Sequence, residues 1–281
     1  MKNKKKLIDA AVVTLFNPHD NVFDNIRTYL PYIKELLIVD NSEISTDLSL
    51  FKKEFPSVTV LSSSINLGIS KALNLAIKYA KDKGHKWLLT MDQDSYFSFE
   101  EIEKFVHLFQ EYDKNKLAIF APLRNKKFLK EDVEFYSLES CVMTSANIIN
   151  VDKSLKIGGF DERLFIDEVD HDFCLRLNEA GYKIVQSHNC YVNHTLGEQH
   201  KSLDLNLYNS KRLYYMARNY LYIRQKHKKR SACFFKERDA YLLKFFIKQV
   251  FYAREKREYI KMLYLGVKDY NNDCMGYRVK L

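Results

Sequence analysis

With 281 residues, 46% of them hydrophobic and only 8 Gly and 4 Pro, the chain has the means for one large core and excludes a disordered or linker-rich protein. Its +9 formal charge is uneven: residues 201–281 carry 20 Lys+Arg against 7 Asp+Glu, while residues 1–200 carry 25 against 29, so a mildly acidic body precedes a strongly basic tail. Five scattered cysteines (Cys141, Cys174, Cys190, Cys233 and Cys274), with no Cys-x-x-Cys pair, exclude a disulfide framework or a thiolate zinc site and fit reduced cytosolic thiols.

The basic start, Met1-Lys2-Asn3-Lys4-Lys5-Lys6, leads into an apolar stretch too short and polar for a signal peptide. No run of 18 apolar residues exists to span a bilayer. Residues 7–16 read as a strand and 21–32 as a helix with Asp20 as its cap. A strand over 35–40 ends on Asp40-Asn41-Ser42. A helix over 46–55 is closed by Pro56, and a short strand spans 58–61. Residues 69–83 form an amphipathic helix ended by Gly84, preceded by Asn66-Leu67-Gly68. A buried strand over 86–91 runs into Asp92-Gln93-Asp94. A helix over 99–113 and a strand over 117–121 follow. This alternation predicts an α/β protein with a mostly parallel, Rossmann-like sheet.

After residue 122 the pattern is less regular. Residues 135–145 read as an extended strand, 167–180 as a helix ended by Gly181, and 182–192 as two short strands. From 203 to 224, and again from 234 to about 265, the chain reads as helix. In the second of these, Lys244 and Lys248 share a face amid Phe245, Phe246 and Val250. Two readings fit: a helix lying in a bilayer interface with snorkelling lysines, or a helix packed on the domain with a solvated lysine edge.

The chemistry concentrates where strands end. In an open α/β sheet, ligands bind beyond the carboxyl ends of the strands. Asp92 and Asp94 alternate along one strand direction and so share a side. Two hard oxygen ligands there suit Mg²⁺ or Mn²⁺, with a diphosphate completing the shell. The same residues also suit a polar turn. Asp40 would accept from a nucleobase N–H or simply close its turn. Gly68 would let a backbone amide approach a phosphate or serve as an ordinary loop glycine. Asp167 and Asp170 share a helix face, and Asp172 is spaced to pair with Arg176. His194 has a ring nitrogen for a metal.

The ordered set Thr14-Leu15-Phe16-Asn17, Val39-Asp40-Asn41-Ser42, Asn66-Leu67-Gly68, Thr90-Met91-Asp92-Gln93-Asp94-Ser95, Gly158-Gly159-Phe160-Asp161-Glu162, Asp170-His171-Asp172-Phe173-Cys174-Leu175-Arg176, Gly181-Tyr182 and His194-Thr195-Leu196-Gly197 resembles the family 2 inverting glycosyltransferases of GT-A fold, in particular their bacterial rhamnosyltransferase-like branch, over roughly residues 8–225. The resemblance implies a catalytic domain over 1–225, with a nucleotide-sugar half to about 122 and an acceptor half over 123–225. A basic amphipathic helical tail would occupy 226–281.

It further implies that Thr14, Asn17, Asp40, Asn66, Gly68 and Asp92 hold the nucleotide-sugar. Asp94 and His194 would ligate Mg²⁺ or Mn²⁺, Asp170 would be the general base, and Gly159 and Asp172 would line the acceptor side. The residue before Asp170 is Val169 where the family often has Glu, which leaves Asp172 as an alternative base. The expected reaction is inverting transfer of rhamnose or a similar hexose from a dTDP- or UDP-sugar to a saccharide acceptor, on a lipid diphosphate carrier, for cell-surface polysaccharide. The basic tail would dock the enzyme peripherally on the anionic inner face of the membrane.

Three rivals are weaker. A nucleotidyltransferase would need a Gly/Arg/Lys-rich loop after the first strand, where Thr14-Leu15-Phe16-Asn17-Pro18-His19 stands. A nucleic-acid binder using the basic tail lacks a zinc finger or an aromatic RNA-binding signature, so no nucleic acid is expected as a partner. A catalytically silent scaffold would have no reason to retain the full set of acids.

Overall fold

The computed structural model describes residues 6–42, 46–62, 65–129, 134–194 and 207–278. Its first half runs β1 (Ile8–Leu15), α1 (Asn21–Tyr29), β2 (Ile33–Asp40), α2 (Leu48–Glu54), β3 (Thr59–Ser62), α3 (Ile69–Asp82), β4 (Trp87–Asp92), β5 (Ser95–Tyr96), α4 (Phe99–Glu111) and β6 (Leu117–Leu123). The second half runs β7 (Tyr136–Leu138), β8 (Asn147–Asn150), α5 (Val151–Lys156), α6 (Val169–Glu179), β9 (Lys183–Tyr191), β10 (Asn193–His194), α7 (Ser210–His227), α8 (Ala232–Tyr252) and α9 (Lys256–Asn271).

Among the described residues, eight strands form one sheet in the order β3-β2-β1-β4-β8-β6-β9-β7. The strands β3, β2, β1 and β4 run parallel, as do β6 and β9, while β8 is antiparallel between β4 and β6 and β7 is antiparallel at the edge. The expected mostly parallel sheet flanked by helices is what forms.

Both faces are covered, which is why the strands read as almost unbroken apolar runs. From Ala10 onward the residues of β1 alternate sides: Ala10 and Val12 pack with Ala72, Ala76, Phe173 and Ile223. Ala11, Val13 and Leu15 pack on the other face with Ile26, Ile102 and Phe105. The alanines of α3 let that helix lie close to the sheet.

Several expected elements change. The helix expected over 21–32 ends at Tyr29 and finishes as a 3-10 turn, Leu30–Tyr32; Asp20 makes no capping bond, whereas Asp47 caps α2 by accepting from Ser49 N. Only Tyr136–Leu138 of residues 135–145 is a strand, and 182–192 forms one strand, β9, with irregular register against β6 instead of two. Of the helix expected from 203, residues 203–206 lie outside the described residues, and α7 starts at Ser210.

The long helix over 234–265 is two helices. Ala253 takes an extended conformation (φ −63°, ψ 140°) and is buried, turning the chain between α8 and α9. Helix α9 packs tightly on α7: a Cβ on Gly266 would lie 2.6 Å from the Tyr214 carbonyl. Residue 225 falls inside α7, and α8 places Phe235 and Leu242 in the sheet's core. The outer side of α8 leaves Leu243, Ile247 and Phe251 exposed. Among the described residues no helix is long and apolar enough to cross a membrane.

Candidate active site

Because β1, β2 and β4 are parallel, their carboxyl ends share one edge. The registers Thr14↔Val39, Leu15↔Asp40 and Thr14↔Asp92 bring Thr14, Asp40 and Asp92 to one level there. Past Asp92 the chain turns at Gln93 and Asp94. Gln93 anchors this turn to the exit of β1, accepting from Phe16 N (2.8 Å) and donating to Phe16 O (3.0 Å), while Asn25 Nδ2 donates to Gln93 O (2.8 Å).

The strand pair β5/β10 then delivers His194 from far along the chain, in register with Ser95. The Ser95 hydroxyl lies 2.8 Å from His194 Nδ1, and that nitrogen is 3.3 Å from Asp94 Oδ1. Ser145 completes the support, accepting from Asp92 N (3.1 Å) and donating to Ser95 Oγ (2.8 Å).

One ligand atom each from Asp92, Asp94 and His194 lies within 4.8 Å of the others. Burial, together with the Asp94 charge, pushes the Asp92 carboxyl up to about 6. Burial also raises Asp94, against the opposing pull of His194. Two half-buried carboxylates held close together repel one another when both are charged and no cation lies between them. With an imidazole beside them they fit one Mg²⁺ or Mn²⁺ ion.

Asp170 stands in the first turn of α6, its side chain 26% exposed. Its Oδ1 accepts from His171 N (2.9 Å) and lies 3.1 Å from His171 Nδ1. Burial alone would raise this carboxyl, but His171, aided by Arg238, holds it below its ordinary value. His171, despite burial, is in turn pushed up to about 10, chiefly by Asp170, and stays cationic. Asp170 is near enough to Asp92 for its charge to raise the Asp92 carboxyl. Arg212 of α7, fixed on Asp167 by bonds of 3.0 and 3.1 Å, adds a cation that both Asp92 and Asp170 sense.

Not every expected residue joins this group. Asp172 is fully buried and points away from Asp170, as residues two apart on a helix must. Its carboxylate is taken by Arg176 Nε (2.7 Å), Lys226 Nζ (2.7 Å) and His227 Nε2 (3.0 Å), so it ties α6 to α7 and does not line the acceptor side. Gly159 is also a packing residue: at φ +71° its added Cβ would meet Asn74 Oδ1 at 2.5 Å, and Asn74 bonds both the N–H and the carbonyl of Phe160.

The donor-side loops are internally bonded. Asp40 accepts from Ser42 N (3.0 Å), Thr46 Oγ1 (3.1 Å) and Thr46 N (3.3 Å), closing its own turn. Asn17 (φ 45°) is exposed and donates its backbone N–H to Ser42 Oγ (2.8 Å). Asn66 accepts from Gly68 N (2.9 Å), and Ile69 N donates to Phe165 O (2.8 Å), so neither amide is free for a phosphate. Gly68 is required there: at φ +78° its Cβ would fall 2.5 Å from the Phe165 carbonyl. Of the last motif only His194 is described; Thr195, Leu196 and Gly197 lie outside the described residues.

Gln93, Ser95, Ser145, His171 and Arg212 were not picked out from the sequence. His171 carried a local signal, an imidazole next to the expected base. The other four act through contacts more than 40 residues apart, except that Ser95 adjoins the acid pair. Beside Ser145 a cavity of about 430 Å³ opens, lined among others by Arg124, Phe128, Glu139, Met143 and His188.

Comparison with known proteins agrees with this geometry. Residues 3–159 match glycosyl transferase family 2. The dTDP-rhamnosyl transferase RfbF of Shigella flexneri is 26% identical over 244 residues, covering 77% of this chain and 80% of that protein. Among solved structures, GalNAc-T7 with UDP, GalNAc and Mn²⁺ superposes with a TM-score of 0.59 at 13% identity, over 79% of this chain. This chain spans about half (48%) of the length of GalNAc-T7, and the likeness is one of fold. TarS of S. aureus aligns over 67% of this chain and 37% of its own, with a TM-score of 0.49 at 17% identity. With more than half its length matched to one family and the GT-A-like sheet in place, the chain belongs to glycosyl transferase family 2.

Proposed function

We propose that this chain is an inverting, metal-dependent glycosyltransferase that moves rhamnose or a similar hexose from a dTDP- or UDP-sugar to a saccharide acceptor. The observation that carries the reading is the gathering of Asp92, Asp94 and His194 at one sheet edge, with Asp170 near enough for its charge to act on Asp92. The resemblance to a dTDP-rhamnosyl transferase supports the donor class.

Asp92, Asp94 and His194 would hold Mg²⁺ or Mn²⁺, which when bound supplies positive charge for the departing diphosphate. Arg212 adds a fixed cation on the same side. Thr14, Asn17 and Asp40 form the rim for the nucleoside, with Asn66 and Gly68 setting the neighbouring loop. Asp170, kept ionised by His171, takes the proton of the acceptor hydroxyl as that oxygen attacks the anomeric carbon opposite the leaving diphosphate. The carbon–oxygen bond to the diphosphate breaks and the anomeric configuration inverts. A positioned general base contributes about 10²–10⁴-fold.

The cavity beside Ser145 takes the acceptor sugar: Phe128 offers an apolar face, and Arg124 and Glu139 offer polar partners. The acceptor is borne on a lipid diphosphate, and the enzyme sits peripherally at the cytoplasmic face of the membrane. The exposed Leu243, Ile247 and Phe251 interleaved with Lys244 and Lys248 support that docking. Asp170→Asn tests the chemistry: turnover should fall at least about 100-fold with nucleotide binding retained. Near-normal turnover would remove Asp170 from the mechanism.

A further inference from the structure

Two consecutive residues with side chains, Asp167 and Glu168, hold φ values of 61° and 62° directly before α6. This left-handed region is disfavoured for such residues and persists only where the surroundings enforce it. The enforcement comes from the C-terminal helices. Arg212 of α7 grips the Asp167 carboxylate, and Asn219 Nδ2 of α7 donates to the carbonyls of Ile166 (2.6 Å) and Asp167 (3.2 Å). Arg238 of α8 donates through Nη2 to Glu168 Oε1 at 2.6 Å.

Glu168 is 4% exposed, so its charge has little solvent to fall back on. Its second oxygen lies 3.2 Å from His171 Nδ1, the nitrogen that also sits 3.1 Å from Asp170 Oδ1. A continuous line of contacts therefore runs from α8 to the acid in the site: Arg238, Glu168, His171, Asp170. Arg212, Asp92, Asp167 and Cys141 also exchange electrostatic influence with Asp170.

We infer that Arg238 and Glu168 are positioning residues, and that α8 is thereby a working part of the site, clamping the left-handed pair and aiming Asp170 through His171. The inference rests on Asp170 being the base of the proposed transfer. The clamp explains why residues far beyond the family-matched segment are built into the first turn of α6.

The test compares full-length wild type with Arg238→Gln, Arg238→Lys and the double variant Arg238→Gln/Glu168→Gln. Three quantities are read: hydrogen exchange of the amides over 165–171, the thermal midpoint, and kcat and donor KM with a sugar nucleotide and Mn²⁺. In Arg238→Gln, exchange should rise at least tenfold in that segment, and kcat should fall tenfold or more with donor KM within about twofold. Arg238→Lys should keep most of the turnover. The double variant removes the buried charge left without its arginine, so its thermal midpoint should recover while kcat stays low.

Unchanged exchange in Arg238→Gln overturns the clamp. Recovery of kcat together with stability in the double variant overturns the positioning role and leaves a purely structural pair. If the wild type turns over no donor, the transferase reading fails, and with it the role assigned to Asp170; the exchange data then still decide the clamp by themselves.

Discussion

Replacing Asp172 by Asn tests whether that acid is structural. Its side chain is wholly buried and contacts Arg176, Lys226 and His227 at 2.7–3.0 Å. Although burial alone would raise it, these partners, His227 foremost, hold its carboxyl down to about 2 from an ordinary 3.8. That gap corresponds to about 2 kcal/mol of stability at neutral pH. Because the folded pKa is depressed, the contribution is present above about pH 4 and lost as pH falls toward 2. Asn keeps the shape but not the charge, and three cations would be left in or near the interior. Loss of a buried partner raises the expected cost to about 3–5 kcal/mol, a fall of roughly 5–15 °C in thermal midpoint. The assay is urea unfolding at pH 7 and at pH 2.5, wild type beside variant. The gap between the two midpoints should be large at pH 7 and visibly narrower at pH 2.5. An unchanged midpoint at pH 7 combined with a raised acceptor KM would refute this reasoning and return Asp172 to the acceptor side.

Three further outcomes are expected. Gly68→Ala should destabilise by more than about 1 kcal/mol, since its Cβ would meet the Phe165 carbonyl at 2.5 Å; an unchanged thermal midpoint would mean that the loop shifts freely. Ser145→Ala should raise the Mn²⁺ concentration needed for half-maximal thermal stabilisation several-fold, because Asp92 N and Ser95 Oγ lose their shared partner; an unaltered titration would show that Ser145 does not support the acids. Leu243→Asp/Ile247→Asp/Phe251→Asp should abolish salt-sensitive binding to vesicles containing anionic lipid, read by co-sedimentation, and equal binding by the triple variant would remove α8 as the docking face.

How much of this was legible depended on the range of the interaction. The acid pair was visible because β4 is an uninterrupted apolar strand that stops at Asp92, a signal confined to nine residues. The sheet's first half was visible because each strand–helix unit carries its own apolar period. His194 could be named, but the β5/β10 pairing that seats it against Ser95 involves two residues on each side and leaves no periodic trace. The choice between Asp170 and Asp172 was open in sequence, since both lie in one helical turn. What separates the two is what α7 presents to the buried face: Lys226 and His227, more than 50 residues away, occupy Asp172 and leave Asp170 as the proposed base. The break at Ala253 lacks Gly or Pro, so Tyr252-Ala253-Arg254-Glu255 reads as continuous helix. It occurs where burying Ala253 and packing α9 on α7 outweigh helical propensity.

The central claim is metal-dependent sugar transfer with Asp170 as the base, and release of nucleoside diphosphate tests it most directly. Wild type, Asp94→Ala and Asp170→Asn would be given a panel of dTDP- and UDP-sugars and lipid-linked saccharide acceptors, with Mn²⁺ or Mg²⁺ and with EDTA. The expected result is release from one donor by the wild type, abolished by EDTA and by Asp94→Ala, and at least about 100-fold slower in Asp170→Asn, which still binds the nucleotide. Release that persists in EDTA, or in Asp170→Asn at the wild-type rate, would contradict the account.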